Sequence, residues 1–401
     1  VLTRGFDPRL SVGSARPAVF RSSTYVFSSP EAAERAFAIA LGRSRPSDGE
    51  NVDLIYSRLS HPNAEILEDQ IVPLERGAEE AAVFNSGMAA ISTVFLSCCP
   101  PGSSFIYTTP VYGGTQHLIH QLLEPLGLHG VPVPAGATEE LMRAIQHTKN
   151  LKLVFIETPA NPTLVMCDIG AAVAAVKGLT SPTPPLVIVD NTFLGPAFQH
   201  PLSLGADAVV YSATKYLAGH SDILAGVVLS ADPDFIASLR GMRAIVGNIL
   251  QPDECWILNS RLPTVELRMT RQSKNAQRIV EGLVGHPRIE KIHYPTLFTD
   301  PEQRRIRDAQ CDFPGGVFAL ELRGGKQAAF DFLRRLKITK NAVSLGGVES
   351  LACHPATTTH SEMSEDELAA AGISDALVRI SVGVEDRRDL LKEFSEALDA
   401  L

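Results

Sequence analysis

Three short stretches place reactive side chains directly after apolar runs. Ser212-Ala213-Thr214-Lys215-Tyr216 follows Ala208-Val209-Val210-Tyr211 and sets two hydroxyls beside a lysine. An amine at the end of a buried strand meets a desolvation penalty that lowers its pKa and frees it as nucleophile or base, and hydroxyls beside it can hold a phosphate. The other reading is a surface lysine at a turn. Asp190-Asn191-Thr192 follows Leu186-Val187-Ile188-Val189. A carboxylate there catalyses or holds a cofactor nitrogen; alternatively it caps a helix or closes a loop ion pair. Ser86-Gly87-Met88 follows Ala81-Ala82-Val83-Phe84 and opens a helical stretch. Ser86 suits the N-cap, Gly87 lets a ligand approach the backbone, and unpaired amides at the positive end of the helix dipole attract an anion. Ser-Gly is also an ordinary strand-to-helix turn.

These stretches work together only if one edge of one sheet collects them. Ala81–Phe84, Leu153–Ile156, Leu186–Val189 and Ala208–Tyr211 read as buried strands, and Ala137–His147 and Asp168–Lys177 are long enough for crossover helices. Such alternation predicts an α/β domain with a mostly parallel sheet, whose ligands bind beyond the carboxyl ends of the strands. Ahead of it, residues 1–56 read as an irregular arm with one helix across Glu31–Leu41 and an exposed loop at Gly42–Gly49. Past residue 250 a long helical pattern, Pro263–Val284, precedes strands at Gly316–Leu322 and Ala376–Val382 and helices at Lys326–Leu336 and Arg387–Leu398. That predicts a smaller α+β domain. The expected division is an arm at 1–56, a large ligand-binding domain at 57–250 and a C-terminal domain at 251–401.

Composition sets the outer limits. With 45% hydrophobic and 20% charged residues over 401 positions, the chain can bury large cores. Its 36 Lys and Arg against 45 Asp and Glu give a net charge of −9, which argues against a nucleic-acid partner. No apolar run approaches the roughly 18 residues of a membrane helix, and the start lacks the apolar segment of a secretory signal, so a cytoplasmic protein is expected. The six cysteines show no Cys-x2-Cys spacing and read as free, mostly buried thiols, with no metal site.

A helix-start anion site, an acid at one strand end and hydroxyls with a lysine at another are the equipment for pyridoxal phosphate. Neither Gly-x4-Gly-Lys-Ser/Thr nor a strand-borne Gly-x-Gly-x2-Gly is present, so nucleotide readings fall. With these stand Tyr56-Ser57-Arg58, Val111-Tyr112-Gly113-Gly114-Thr115, Glu157-Thr158-Pro159-Ala160-Asn161-Pro162-Thr163, Ala342-Val343-Ser344-Leu345-Gly346-Gly347 and Arg379-Ile380-Ser381-Val382-Gly383. In order and spacing, from about Thr24 to the C-terminus, the chain resembles the pyridoxal-phosphate enzymes of cysteine and methionine metabolism: the cystathionine and methionine γ-lyases, cystathionine γ-synthase and cystathionine β-lyase.

The resemblance implies a fold-type I, transferase-like architecture, with a mostly parallel seven-stranded sheet flanked by helices and a smaller α+β C-terminal domain. It implies Lys215 as the Schiff-base lysine and Asp190 as partner of the pyridine nitrogen. Gly87, Met88, Ser212 and Thr214 would hold the phosphate. Tyr56 and Arg58 would reach the phosphate site of a neighbouring subunit, so a homodimer at least, usually a tetramer, is implied. Tyr112 would stack on the cofactor ring and move protons. Asn161, Ser344 and Arg379 would face the cofactor oxygen and the substrate carboxylate, with Glu349 on the substrate side.

The implied reaction is γ-elimination from a sulfur amino acid, giving 2-oxobutanoate, ammonia and a thiol. The alternative is γ-replacement by a synthase, which needs an O-acylhomoserine and a thiol. Gly114 stands where methionine γ-lyases typically carry Cys, as in cystathionine γ-lyases and γ-synthases. Asn259-Ser260-Arg261-Leu262-Pro263-Thr264 departs from the usual Arg-Gly-Leu-Lys/Arg-Thr, and the Leu41–Asp53 loop is extended. The substrate therefore stays open between cystathionine, methionine and homocysteine. A non-catalytic assembly protein is a third reading, against which the joint presence of Lys215, Asp190, Tyr112 and Arg379 argues.

Overall fold

The computed structural model describes residues 4–47 and 49–401; Asp48, inside the loop expected at Gly42–Gly49, and residues 1–3 of the arm lie outside them. Seven strands form the larger sheet: β1 (Glu80–Phe84), β2 (Ser104–Thr109), β3 (His129–Pro134), β4 (Leu151–Glu157), β5 (Leu186–Asp190), β6 (Ala208–Tyr211) and β7 (Gly226–Ser230). Their order is β1-β7-β6-β5-β4-β2-β3. β2 to β6 pair in parallel, whereas β7 runs against both β6 and β1. β1 therefore points the same way as β6, and the carboxyl ends of β1, β2, β4, β5 and β6 share one edge.

Alternate residues of the strands feed opposite faces, as the two-residue period requires. Phe105, Leu153 and Phe155 face helices Gly87–Cys98 and Pro233–Val246, packing with Val94, Phe95, Ile236 and Leu239. Ile106, Val154 and Ile156 face Thr138–His147 and Ile169–Lys177 through Leu141, Ile145, Ile169 and Val173. Asp168 caps the second of these helices by accepting from Ala171 N at 2.8 Å. The four apolar runs in the sequence thus form β1, β4, β5 and β6. β3 escapes that reading because it carries Pro132 and Pro134, tolerable at a sheet edge where a missing N–H breaks few ladder bonds.

The smaller sheet has the order β10-β11-β12-β9-β8, built from β8 (Ile289–His293), β9 (Val317–Leu322), β10 (Lys340–Asn341), β11 (Leu351–Cys353) and β12 (Leu377–Ser381). The helix Val265–Leu283 buries Val265, Met269, Ala276, Ile279, Val280 and Leu283, the i, i+4, i+7 pattern of a one-sided apolar stripe. One apolar cluster runs from Leu67 and Val209 to Phe318 and Phe394, so the two sheets share a core. Cys99, Cys167, Cys255 and Cys353 are buried, Cys98 and Cys311 half-buried, and all are free thiols. Among the described residues no helix is long and apolar enough to cross a membrane.

The arm is irregular apart from the helix Pro30–Ala40 and a short 3-10 turn at Pro8–Ser11. Asn63 clamps it by accepting from Phe20 N and donating to Ala18 O, both at 2.8 Å, and Trp256 Nε1 donates to Pro17 O at 2.9 Å. Beneath it Glu68, fully buried, accepts from Arg243 Nη1 at 2.6 Å and from Val83 N at 2.9 Å. This pair ties three elements together: the helix Pro62–Ile71, β1 and the helix Pro233–Val246. Arg240 Nη2 also reaches Glu68 Oε2, at 3.1 Å, so Arg243→Met leaves Glu68 one cation, whereas Glu68→Met strands Arg243 in the core and is expected to cost about 3–5 kcal/mol in urea unfolding. A loss under about 1 kcal/mol would remove the pair from the stabilising contacts.

Candidate active site

At the shared strand edge lies a cavity of about 180 Å³. Nine of the residues singled out in the sequence line it: Gly87, Met88, Tyr112, Asn161, Asp190, Ser212, Thr214, Lys215 and Arg379. The three stretches met first in the sequence therefore converge. Gly87 opens its helix behind Ser86, whose hydroxyl accepts from Ala89 N at 3.0 Å. A β-carbon at Gly87 would stand 2.9 Å from Ser212 Cβ and Oγ, so only glycine lets the helix start and the β6 end close on each other. Thr214 is held by the entry to β7, its Oγ1 accepting from Ala225 N at 2.9 Å.

Lys215 Nζ donates to Ser344 Oγ at 3.0 Å. Burial, with the positive charge of Arg379 as the lesser cause, pulls the amine down to about 8. About a tenth is then unprotonated at pH 7, the state a base or nucleophile needs, far more than for a lysine in water. In cofactor-free protein, acylation of Lys215 by a neutral amine-directed reagent should rise with pH through a midpoint near 8 rather than 10.5. Peptide mapping across a pH series reads this directly, and a midpoint at the ordinary lysine value would place the amine in water.

Asp190 ends β5 and is buried. Thr192 donates to its Oδ1 twice, from N at 3.0 Å and from Oγ1 at 2.6 Å, and Thr192 Oγ1 in turn accepts from Ser212 N at 2.9 Å. Burial raises the carboxyl, and no described cation is paired with it. One strand over, Glu157 ends β4 in register with Asp190 and lines the same cavity.

Arg379, at the centre of β12, is buried yet has no carboxylate partner among the described residues. Its Nη1 donates to Asn161 Oδ1 at 3.0 Å, and its Nη2 to Ser344 O at 3.1 Å and Val343 O at 3.3 Å. Three neutral oxygens thus orient a desolvated cation, a geometry suited to an incoming carboxylate. Gly346 makes this possible with φ +78°: a β-carbon there would meet Tyr216 N at 2.8 Å, so the Ser344–Gly347 turn can lie against Lys215 and Tyr216. Tyr112 stands at the cavity rim, 44% exposed.

Four expected residues lie elsewhere or only touch the site. Ser344 is not in the lining but contacts it through Lys215. Glu349 is outside the lining, its carboxylate accepting from Ser221 Oγ. Tyr56 and Arg58 sit together on the surface, the guanidinium 5.6 Å from the ring and donating to Ala244 O at 2.5 Å. Conversely, Glu157, Thr192, Val343 and Leu224 line the cavity with no role assigned to them from the sequence, though the first three stand in motifs that carry the resemblance. Glu157 carried a readable signal, since it closes an apolar run as Asp190 does. Val343 and Leu224 carried none, because an apolar residue in a loop announces no role.

Known proteins agree with this architecture. Residues 2–399 match the family described as Cys/Met metabolism PLP-dependent enzyme. An L-methionine gamma-lyase of Pseudomonas deceptionensis is 39% identical over 399 residues, covering 99% of this chain and 96% of its own. A cystathionine gamma-lyase of Bacillus subtilis is 37% identical over 357 residues, 88% of this chain and 91% of its own. The crystal structure of cystathionine gamma synthase from Xanthomonas oryzae pv. oryzae in complex with cystathionine superimposes with a TM-score of 0.88 at 32% identity, covering 98% of this chain and 95% of that one. Family match, identity along the whole length and a fold with its polar strand ends gathered at one cavity together place the chain among the pyridoxal-phosphate-dependent enzymes of cysteine and methionine metabolism.

Proposed function

We propose that the protein is a carbon–sulfur γ-lyase, acting on L-cystathionine or on L-methionine or L-homocysteine. The observation that carries this is the buried, counter-ion-free Arg379 set across one cavity from the softened amine of Lys215. Support for elimination over other chemistry comes from the relatives named gamma-lyases.

The cavity suits the cofactor on its own terms. Asp190 is a buried acid with no cation beside it among the described residues, which a protonated ring nitrogen would supply, and the helix start at Gly87 lines the cavity beside the hydroxyls of Ser212 and Thr214, donors suited to an anion. In this reading Gly87, Met88, Ser212 and Thr214 hold the phosphate, Asp190 the ring nitrogen, Asn161 the ring oxygen, Tyr112 the ring face, and Lys215 the aldehyde carbon. Pyridoxal phosphate, when bound, supplies an electron sink that makes the α and β hydrogens of an amino acid acidic.

The chain's own residues do the rest. Arg379 grips the substrate carboxylate and fixes which bonds at Cα face Lys215. Lys215, unprotonated in part near neutrality, takes the α-proton and carries protons between carbons. Tyr112 delivers a proton to the sulfur leaving Cγ. One water enters overall, so a thioether amino acid becomes 2-oxobutanoate, ammonia and a thiol. Tyr56 and Arg58 serve the phosphate of a neighbouring copy in a cytoplasmic homo-oligomer, a dimer at least and a tetramer in full. Leu224 fits this assembly: it lines the cavity yet is 64% exposed, so the wall is thin where a second copy would close it.

The test is an assay of purified protein with pyridoxal phosphate, following 2-oxobutanoate from L-methionine, L-homocysteine and L-cystathionine separately. Oxo acid from a thioether or thiol alone is expected and names the substrate. Turnover only when an O-acylhomoserine and a thiol are both supplied would replace the lyase by a γ-synthase. No oxo acid in either arm would end the reading.

A further inference from the structure

Glu157 is a buried carboxylate inside the cavity for which the proposed reaction has no task. Its two oxygens reach two different site residues: Oε2 accepts from Tyr112 N at 2.7 Å, and Oε1 from Asn161 N at 3.2 Å. Its own amide donates to Thr108 Oγ1 at 3.0 Å, which pins the end of β4 to β2. From Asn161 the bonds continue to Arg379, from Arg379 to the carbonyl of Ser344, and from the hydroxyl of Ser344 to Lys215. A single line of hydrogen bonds and short covalent links therefore runs from the phenol-bearing residue to the amine. Glu157 is the side chain on this line that bonds both Tyr112 and Asn161.

Tyr112 needs such a hold. It precedes the helix Gly113–Leu118 without a side-chain cap, two glycines follow it, and its ring is nearly half exposed. The carboxylate of Glu157 is the side chain that bonds its backbone. Asn161 likewise sits in a loop of irregular backbone between β4 and the helix Ile169–Lys177.

We propose that Glu157 is a positioning residue with two outputs: through the amide of Tyr112 it sets the phenol that serves the leaving sulfur, and through Asn161 it sets the guanidinium that grips the substrate. The proposal rests on the roles given above to Tyr112 and Arg379. Burial and the neighbouring Asp190 raise the Glu157 carboxyl, opposed by the two amides and by Arg379, and the Cys167 thiol is pushed up in part by Glu157 itself. Glutamine in its place keeps the size and neither charge nor proton. It offers one oxygen where two are needed, so one of the two amides faces an N–H.

The experiment compares wild type, Glu157→Gln, Tyr112→Phe and the double variant, all loaded with pyridoxal phosphate. Unfolding midpoint, visible circular dichroism of the bound cofactor, kcat and KM are measured. Glu157→Gln is expected to fold, to change the visible dichroism, to lower kcat about tenfold to hundredfold and to raise KM. In the Tyr112→Phe background its further effect on kcat should shrink below about threefold while the KM effect persists, because the phenol it aimed is gone. Wild-type kcat and KM in Glu157→Gln, or the full kcat loss repeated in the Tyr112→Phe background, would overturn the proposal. If Glu157→Gln does not accumulate, Glu157→Asp, one methylene too short to span both amides, must give the same pattern. If wild type makes no oxo acid, the γ-lyase reading is what has failed. The proposal is then decided by dichroism alone, and unchanged spectra in both Glu157 variants end it.

Discussion

Lys215→Ala is expected to lower 2-oxobutanoate production by at least about 10⁴-fold, because it removes both the group that holds the cofactor and the base that moves protons. No neighbour can stand in. Ser344 and Thr214 offer hydroxyls whose pKa values lie far above that of the amine, and Thr214 is already engaged with the backbone of Ala225. The variant should also lose the visible absorbance that wild type shows with pyridoxal phosphate, so spectrum and rate fall together. Fold integrity is separable, since the side chain contributes a single hydrogen bond, to Ser344. Turnover within tenfold of wild type would mean that another amine does the work and that the site has been misassigned.

Arg379→Ala is expected to raise KM for the amino acid by about 10²- to 10³-fold, the range for deleting one partner of a buried charge pair. The loss should concentrate in KM if the carboxylate is gripped equally in ground and transition states. Arg379→Lys is a sharper probe. A lysine restores the charge but not the planar fork that now donates to Asn161 and to two carbonyls, so most of the KM rise should remain. A variant with near wild-type KM would move the carboxylate site away from β12 and take the substrate orientation with it.

How much of this was legible in advance depended on how far each signal was local. Lys215, Asp190 and Gly87 announced themselves because a polar residue after an apolar run is a local pattern, and parallel pairing then had to gather them. Arg379 was different. It lies in the middle of a buried strand of the smaller sheet, where an alternating reading expects an apolar side chain; only the resemblance marked it, and its partners Asn161, Val343 and Ser344 are distant in sequence. Tyr56 and Arg58 were marked by resemblance too, and in a single chain they lie outside the cavity, Arg58 over the Tyr56 ring and bonded to Ala244 O. Glu349 illustrates the opposite hazard: a residue close to the site in sequence turns to Ser221, since the Gly346–Gly347 turn redirects the chain. β2, β3, β7 and β8 were unreadable for a simpler reason. Threonines in β2, prolines in β3 and alternating charges in β8 blur the apolar run that marks a buried strand, while in β7 the run is only the three residues Val227–Leu229 between Gly226 and Ser230.

The placement of β7 between β1 and β6 also bears on how a ribosome must deliver this chain. Val83 of β1 meets Val227 of β7, so the first strand to leave the exit tunnel finds its only sheet partner after β2 to β6 have all emerged. Among the described residues no strand nearer in sequence pairs with it, and closing so long a loop is slow. During that interval β1 and the apolar helix Gly87–Cys98 behind it are exposed together, the condition in which nascent chains need a holding chaperone. Chains arrested before Gly226 should therefore bind such a chaperone or aggregate, and chains extended past Ser230 should be released from it.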